Sequence, residues 1–499
     1  MAHARATEAG FEADMRETLR RSPWLLLSAG LHAAAILVLM QFDFRRTVEP
    51  TPLGIVVTLQ DEALELLEPP VVVPPPPVTP EVQEVVADEP VIVEETVVPL
   101  PASDASSELS ALDDSPFTGR GDNGCLGTGG GAGRPGGGPY GQRVPGRGGS
   151  TATQCSVALG LEWLRRHQDP RGHWDADGFH SRCGETLCDG KGHAMNDVGC
   201  TGLSLLAFLG AGHTSRSGAH RGVVRDGLRW LQSVQDPDDG CIGSKSGQHF
   251  LYGHALATLA LVEGYHLSRE PLLRRPAQDA LHFISRSRNP YKAWRYAYPP
   301  DGDNDVSVSG WMLFALFAGR EAQLVVDDAA IKDGMAYLEE MTDPTSGRTG
   351  YHEKGSFSAR EPEAMERWPA DRAEAMTAVA ALLRIFHDPT AQSPALAGAT
   401  RLLAAKPPRW DAAGGGVDYY YWYYGSYAMF QQGGREWDAW SRAMEPTVVS
   451  HQRREGCETG AWDPQFDPWG ANGGRVYATA INTLCLEVYY RYTRLLGSR

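Results

Sequence analysis

No Lys or Arg falls between positions 51 and 115 of this 499-residue chain, a stretch that holds 14 Asp and Glu. That segment carries most of the net charge of −16 and leaves −16 − (−14) = −2 for everything else. A folded part so close to neutral lacks the basic face that nucleic acid requires, and that partner is excluded. Cysteine is scarce, with eight in the whole chain, too few for a scaffold built on disulfides. Between Trp24 and Phe42 there is no charged residue of either sign.

That uncharged run is nineteen residues long. At 1.5 Å per residue it reaches about 28 Å, near the ~30 Å of a bilayer's hydrocarbon. It ends in Phe42-Asp43-Phe44-Arg45-Arg46 with no small-residue cleavage site, so residues 23–42 read as an uncleaved transmembrane anchor. Arg5, Arg16, Arg20 and Arg21 precede the run, and only Arg45 and Arg46 follow closely. This excess predicts a cytoplasmic tail over 1–22 and a single pass through an inner membrane, with the C-terminal part periplasmic. Residues 43–118 then form an acidic spacer, with eleven prolines in 51–101. In polyproline II geometry that proline stretch extends to roughly 150 Å. Residues 119–151 are a linker, with fifteen glycines in positions 119–149. No strand is legible before this run, so a phosphate-cradling loop is excluded.

Ser28 and His32 are four apart and share one face of the anchor. An ionisable group inside a membrane helix faces a partner rather than lipid. Ser-x-x-x-His in a single N-terminal anchor, followed by a proline-rich acidic spacer, resembles the TonB and TolA energy transducers. The resemblance implies that Ser28 and His32 contact a proton-driven motor of the ExbB/ExbD or TolQ/TolR kind. The residues alone also allow a plain anchor with an incidental His.

From 152 to 495 the pattern turns helical. Gly160-Leu-Glu-Trp163-Leu-Arg-Arg-His-Gln168 is followed by Gly172 and Trp174, and a second run carries Trp230, Gln235 and Gly240. The aromatics at 163, 230, 283 and 337 are spaced 67, 53 and 54, one helix pair per repeat. Each such helix precedes a more apolar one, beginning near Asp197, Tyr252, Asp305, Glu374, Ser426 and Tyr477 and rich in Ala, Gly, Ser and Thr. Small side chains let helices approach closely. Six outer and six inner helices predict an all-α domain, a closed (α/α)6 toroid of six helix pairs.

Gly-x-x-Trp-Leu-x-x-x-Gln-x-x-x-Gly-x-Trp at 160–174 resembles the QW repeat of squalene–hopene and oxidosqualene cyclases, and through them the prenyltransferase toroids. The resemblance covers about 152–495 and makes Trp163, Gln168 and Trp174 structural fasteners. It also implies two chemistries. Cyclases of this type protonate an alkene with an Asp-x-Asp-Asp acid; the nearest match is Asp303-Asn304-Asp305, which lacks the adjacent pair, and Asp305 reads equally as a helix N-cap. Prenyltransferases hold zinc with Asp, Cys and His; Asp197, Cys200 and His254 do not meet that spacing. The Gly-Cys-Gly-Glu-Gln run of thioester toroids is absent.

The favoured expectation is therefore a non-catalytic module for a lipid, glycan or envelope-protein ligand. Its cavity residues are expected to be Tyr252, His254, Trp311, Glu374 and Tyr477. The alternative is an enzyme, terpenoid-cyclase-like or glycan-active, with Asp303 and Asp305 as its acid candidates. No cofactor is expected. One loop leaves zinc open: His180, Cys183, Cys188 and His193 follow a His-x2-Cys-x4-Cys-x4-His pattern, although a Cys183–Cys188 disulfide is as easy.

Overall fold

The computed structural model describes residues 150–491, apart from 185, 248, 358, 359, 361–363, 391 and 392. The anchor with Ser28 and His32, the acidic spacer and the glycine-rich linker lie outside the described residues. No helix among the described residues is long and apolar enough to cross a membrane.

Twelve α-helices and no strand occur among the described residues, with only isolated bridges at Gln235–Ile242 and Thr342–Thr349. The odd-numbered helices are amphipathic: α1 (Thr151–Arg166), α3 (Arg221–Ser233), α5 (Pro271–Arg286), α7 (Asp328–Glu340), α9 (Pro394–Ala405) and α11 (Gly434–Val449). In α3 the buried positions are Val224, Gly227, Leu228 and Leu231, the stripe of a helix that covers a core on one side only. The even-numbered helices are buried on nearly all sides: α2 (Asp197–Gly210), α4 (Phe250–Ser268), α6 (Val306–Glu321), α8 (Ala375–His387), α10 (Tyr419–Gln432) and α12 (Gly470–Arg491). In α2 every residue from Gly199 to Gly210 is buried. Each Leu or Phe so placed contributes about 1.5–3 kcal/mol over its exposed state.

The order of contacts makes the architecture. Helix α2 packs on α4, α4 on α6, α6 on α8, α8 on α10 and α10 on α12, and α12 returns to α2. The inner ring is closed, and each outer helix covers the seam beside its inner partner. Small residues set the inner spacing: Gly199 of α2 faces Gly253 of α4, where an added Cβ would come within 3.3 Å of the opposite Cα.

Recurrent hydrogen bonds hold successive pairs together. The Gln168 amide donates to Gly172 O (2.7 Å) and to Val223 O of α3 (2.9 Å). Gln235 repeats this with Gly240 O and Pro276 O of α5. Gln452 does so with Gly460 O and, across the closure, with Ser156 O of α1. The indoles of Trp174, Trp294 and Trp462 donate to Leu164 O, Ile284 O and Val448 O, each at 2.8 Å. These are carbonyls at the C-terminal ends of outer helices, which lack an intrahelical partner. Buried Trp163 has a different task, stacking on His167 with centroids 4.1 Å apart.

Candidate functional site

All six inner helices begin at the same end of the ring. There they enclose a cavity of about 370 Å³ with walls from every one of them, including Leu203, Tyr252, Trp311, Met376, Tyr420 and Tyr477. At about 30 Å³ per water it holds on the order of a dozen waters, within the usual range of ligand sites. Loops between the pairs complete the rim with Arg295, Tyr296, Tyr351, Arg360 and Trp469. Trp311 stacks on Tyr423 with centroids 5.9 Å apart, and Tyr420 bonds Ser307 at 3.0 Å. The wall is thus a rigid aromatic surface.

Polar groups of the wall are mostly engaged. The Arg360 guanidinium donates to Asp418, the N-cap of α10, at 2.6 Å, with both side chains buried. Arg295 lies 3.3 Å from Asp303 and 3.7 Å from Asp305. Three donors differ: the Tyr477 hydroxyl, the Trp469 indole nitrogen and Arg295 Nε are buried in the lining and meet no hydrogen-bond partner, although Arg295 Nε lies 3.7 Å from Asp305.

Asp305 is completely buried at the N-cap of α6, and its Oδ1 accepts the Val308 N–H at 2.8 Å. Its Oδ2 accepts the Tyr351 hydroxyl at 3.3 Å, and Tyr351 in turn meets the Tyr296 hydroxyl at 2.6 Å. Burial pushes the Asp305 carboxyl up to about 7, against the opposing pull of the Val308 N–H and Arg295. Tyrosines therefore stand between this carboxyl and the cavity. Asp303 is exposed beside Arg295.

The expected cavity set divides. Tyr252, Trp311 and Tyr477 line the cavity. His254 does not: it is buried against α5, with Nδ1 accepting the Ile242 N–H at 3.0 Å and Nε2 3.1 Å from Ala280 O. Burial pushes its imidazole down to about 4, so it is a neutral core residue. Glu374 is also turned away, clamped by Nε and one terminal nitrogen of Arg348 at 3.0 Å and by Lys406 at 2.7 Å. Its carboxylate ties the α8 entry to neighbouring loops.

The loop after α1 departs further from expectation. All seven described cysteines are free thiols, Cys183 and Cys188 included. These two converge with His167, at the end of α1, and with Cys457, after α11; the four ligand atoms lie within 4.8 Å of one another. His180 and His193 are not in this group. His193 instead donates its backbone N–H to Asn472 O. Sequence spacing found two of the four members. His167 was hidden as a helix residue, and Cys457 lies 290 residues beyond it. A second convergence, His173 with Asp175 and Asp197, is absorbed locally: Asp175 accepts the Gly178 N–H and Asp197 the Ala176 N–H.

No family model matches the chain. A squalene–hopene cyclase from Bradyrhizobium diazoefficiens is 26% identical over 211 residues, covering 38% of this chain and 29% of that enzyme. The chain thus spans less than a third of the curated relative it matches. Among solved structures, a cellobiose 2-epimerase from Bacillus thermoamylovorans aligns with TM-score 0.47 and 15% identity, over 68% of this chain and 98% of that one. An α-1,6-mannanase of Salegentibacter aligns with TM-score 0.45 and 10% identity, over 68% and 98%. A type II terpene cyclase from Scytonema aligns with TM-score 0.43 and 12% identity, over 68% and 97%. In sequence, then, the chain is similar to a squalene–hopene cyclase over a limited stretch, while the closed ring rests on its own helix contacts.

Proposed function

We propose that the toroid binds a mainly apolar, terpenoid- or polyprenyl-like molecule with an oxygen acceptor, and holds it without turning it over. The observation that carries this reading is that Tyr477 OH and Trp469 Nε1 are buried without a partner among the residues lining a mostly apolar cavity. Each costs about 1–3 kcal/mol while unsatisfied, and an acceptor on a ligand would recover that. Against turnover stands Asp305, whose carboxyl is occupied as a helix cap behind Tyr351. Mass spectrometry of lipids and glycans released from the purified full chain tests the reading. A bound lipid is expected, and Tyr477→Phe weakens its binding about fivefold to tenfold. Recovery of glycans alone would overturn the ligand class.

A second reading, acid catalysis on an alkene, is favoured by the Asp305 carboxyl at about 7 and the Tyr351–Tyr296 pair leading from it to the cavity. It takes support from the similarity to a squalene–hopene cyclase. Turnover of a polyprenyl substrate that Asp305→Asn abolishes would establish it and displace the binding reading. For the N-terminal part we propose that residues 23–42 anchor the toroid on the outer side of an inner membrane, with Ser28 and His32 against a proton-driven motor. Crosslinking from position 32 that captures no motor subunit removes this last element.

A further inference from the structure

The His/Cys group lies outside the cavity and plays no part in the reading above. Its Nε2···Sγ distances are 3.4 Å to Cys183, 3.6 Å to Cys188 and 3.5 Å to Cys457. A tetrahedral zinc with Zn–S of about 2.3 Å and Zn–N of about 2.0–2.1 Å has N···S edges of about 3.6 Å. The three N···S edges therefore match those of a one-ion tetrahedron, and all four ligand atoms lie within 4.8 Å of one another. We propose that His167, Cys183, Cys188 and Cys457 hold one structural zinc ion that staples the last repeat of the toroid to the first.

Three further features suit that ion. The His167 Nδ1 lies 2.8 Å from Trp163 O, and the ring is stacked on the Trp163 indole. A proton on Nδ1 leaves Nε2 as the ligand atom, the usual outer-shell arrangement for a zinc-bound histidine. The Cys188 N–H donates to the Cys183 sulfur at 3.3 Å, a bond that stabilises a thiolate. Arg166, Arg182 and Arg475 all act on His167 electrostatically, and Arg166 donates to Thr459 O beside Cys457. Three thiolates and Zn²⁺ leave one negative charge, with the three thiol protons released to solvent. The Arg166, Arg182 and Arg475 guanidiniums add positive charge around the group, with Arg475 also paired to Asp189, Glu458 and Asp463. Four protein ligands leave no open position, so the ion is structural rather than catalytic.

Position supplies the purpose. Three ligands belong to the first repeat and Cys457 to the last, so the ion closes a loop of 290 residues measured from His167. A crosslink over so long a loop restricts the unfolded chain strongly. It sits where the ring must shut, beside the Gln452–Ser156 bond and the contact of Arg475 with Asp189.

The test uses the full chain purified without chelator. Elemental analysis is expected to give one zinc per chain, and X-ray absorption three sulfur and one nitrogen neighbours. Cys457→Ser loses the zinc and lowers the melting temperature by about 5 °C or more. Cys155→Ser, an exposed thiol elsewhere on α1, keeps both. His167→Cys retains the metal with four sulfur neighbours, which separates ligand loss from misfolding. Metal-free protein with any two of these cysteines joined in a disulfide overturns the proposal. So does zinc that persists in a Cys183→Ser/Cys457→Ser double variant, or iron in its place.

Discussion

Burial decides what each ionisable side chain near the cavity does, and Asp305 is the measurable case. Its carboxyl rises from an ordinary 3.8 to about 7 because desolvation outweighs its hydrogen bonds. Between about pH 4 and 7 the folded chain keeps a proton there that the unfolded chain has released. Stability at this site is therefore full below pH 4 and falls as pH rises to 7, by up to about 4 kcal/mol at ~1.4 kcal/mol per unit. Asn caps a helix as well as Asp does and carries no charge. Asp305→Asn is expected to match the wild type near pH 4 and to exceed it above pH 7 in thermal unfolding. Parallel curves across that range would remove burial as the cause. Helix geometry separates two of the residues expected in the cavity. Successive residues turn about 100° around a helix, so His254 points about 200° from Tyr252. A reading that places both at the start of one inner helix cannot put both in one cavity.

At the scale of the element, the loops after α1, α3, α7 and α11 each bring a glycine against the next outer helix: Gly172, Gly240, Gly347 and Gly460. Gly172 has φ 104°, and a Cβ there would overlap the Asp226 carbonyl of α3. Gly460 has φ 98° and stands in the same relation to Leu159 of α1. A side chain at either site suffers both backbone strain and collision. Gly460→Ala is expected to cost about 2 kcal/mol or more in urea unfolding. Gly222, in the first turn of α3, has only the flexible Arg225 guanidinium within 4 Å. Gly222→Ala should stabilise by about 0.5–1 kcal/mol. Equal effects at the two glycines would show that close packing does not set the cost. The Gln-x-x-x-Gly spacing was legible because it lies within one repeat. Its second hydrogen bond, from Gln168 to Val223, was not, since its acceptor belongs to the following pair.

Across the whole molecule, the inner ring is pinned at its far end by charge. Arg491 of α12 makes two bonds to Glu263 of α4, at 2.9 and 2.7 Å, lies 3.5 Å from Glu487 and reaches Leu206 O of α2. All three charged side chains are essentially inaccessible, and burial together with Glu263 holds the Glu487 carboxyl well above its ordinary range. Removing the cation strands the Glu263 carboxylate and the Glu487 carboxyl in the core. Arg491→Met is expected to cost about 3–5 kcal/mol in denaturant unfolding. A variant that also carries Glu263→Gln and Glu487→Gln should regain much of that loss. If it does not, the network acts through packing rather than charge.

The alternation of amphipathic and more apolar helices was present in the amino-acid order. Periodicity is a local property, and it suffices for an all-α chain of paired helices with small residues on the inner members. Closure depended on the tertiary structure, because only the return of α12 to α2 distinguishes a ring from an open arc. The same holds for the His167–Cys183–Cys188–Cys457 group, whose members meet only once the first and last repeats are neighbours. It holds again for the cavity, where each inner helix contributes one short stretch of wall and no single stretch of sequence contains the site.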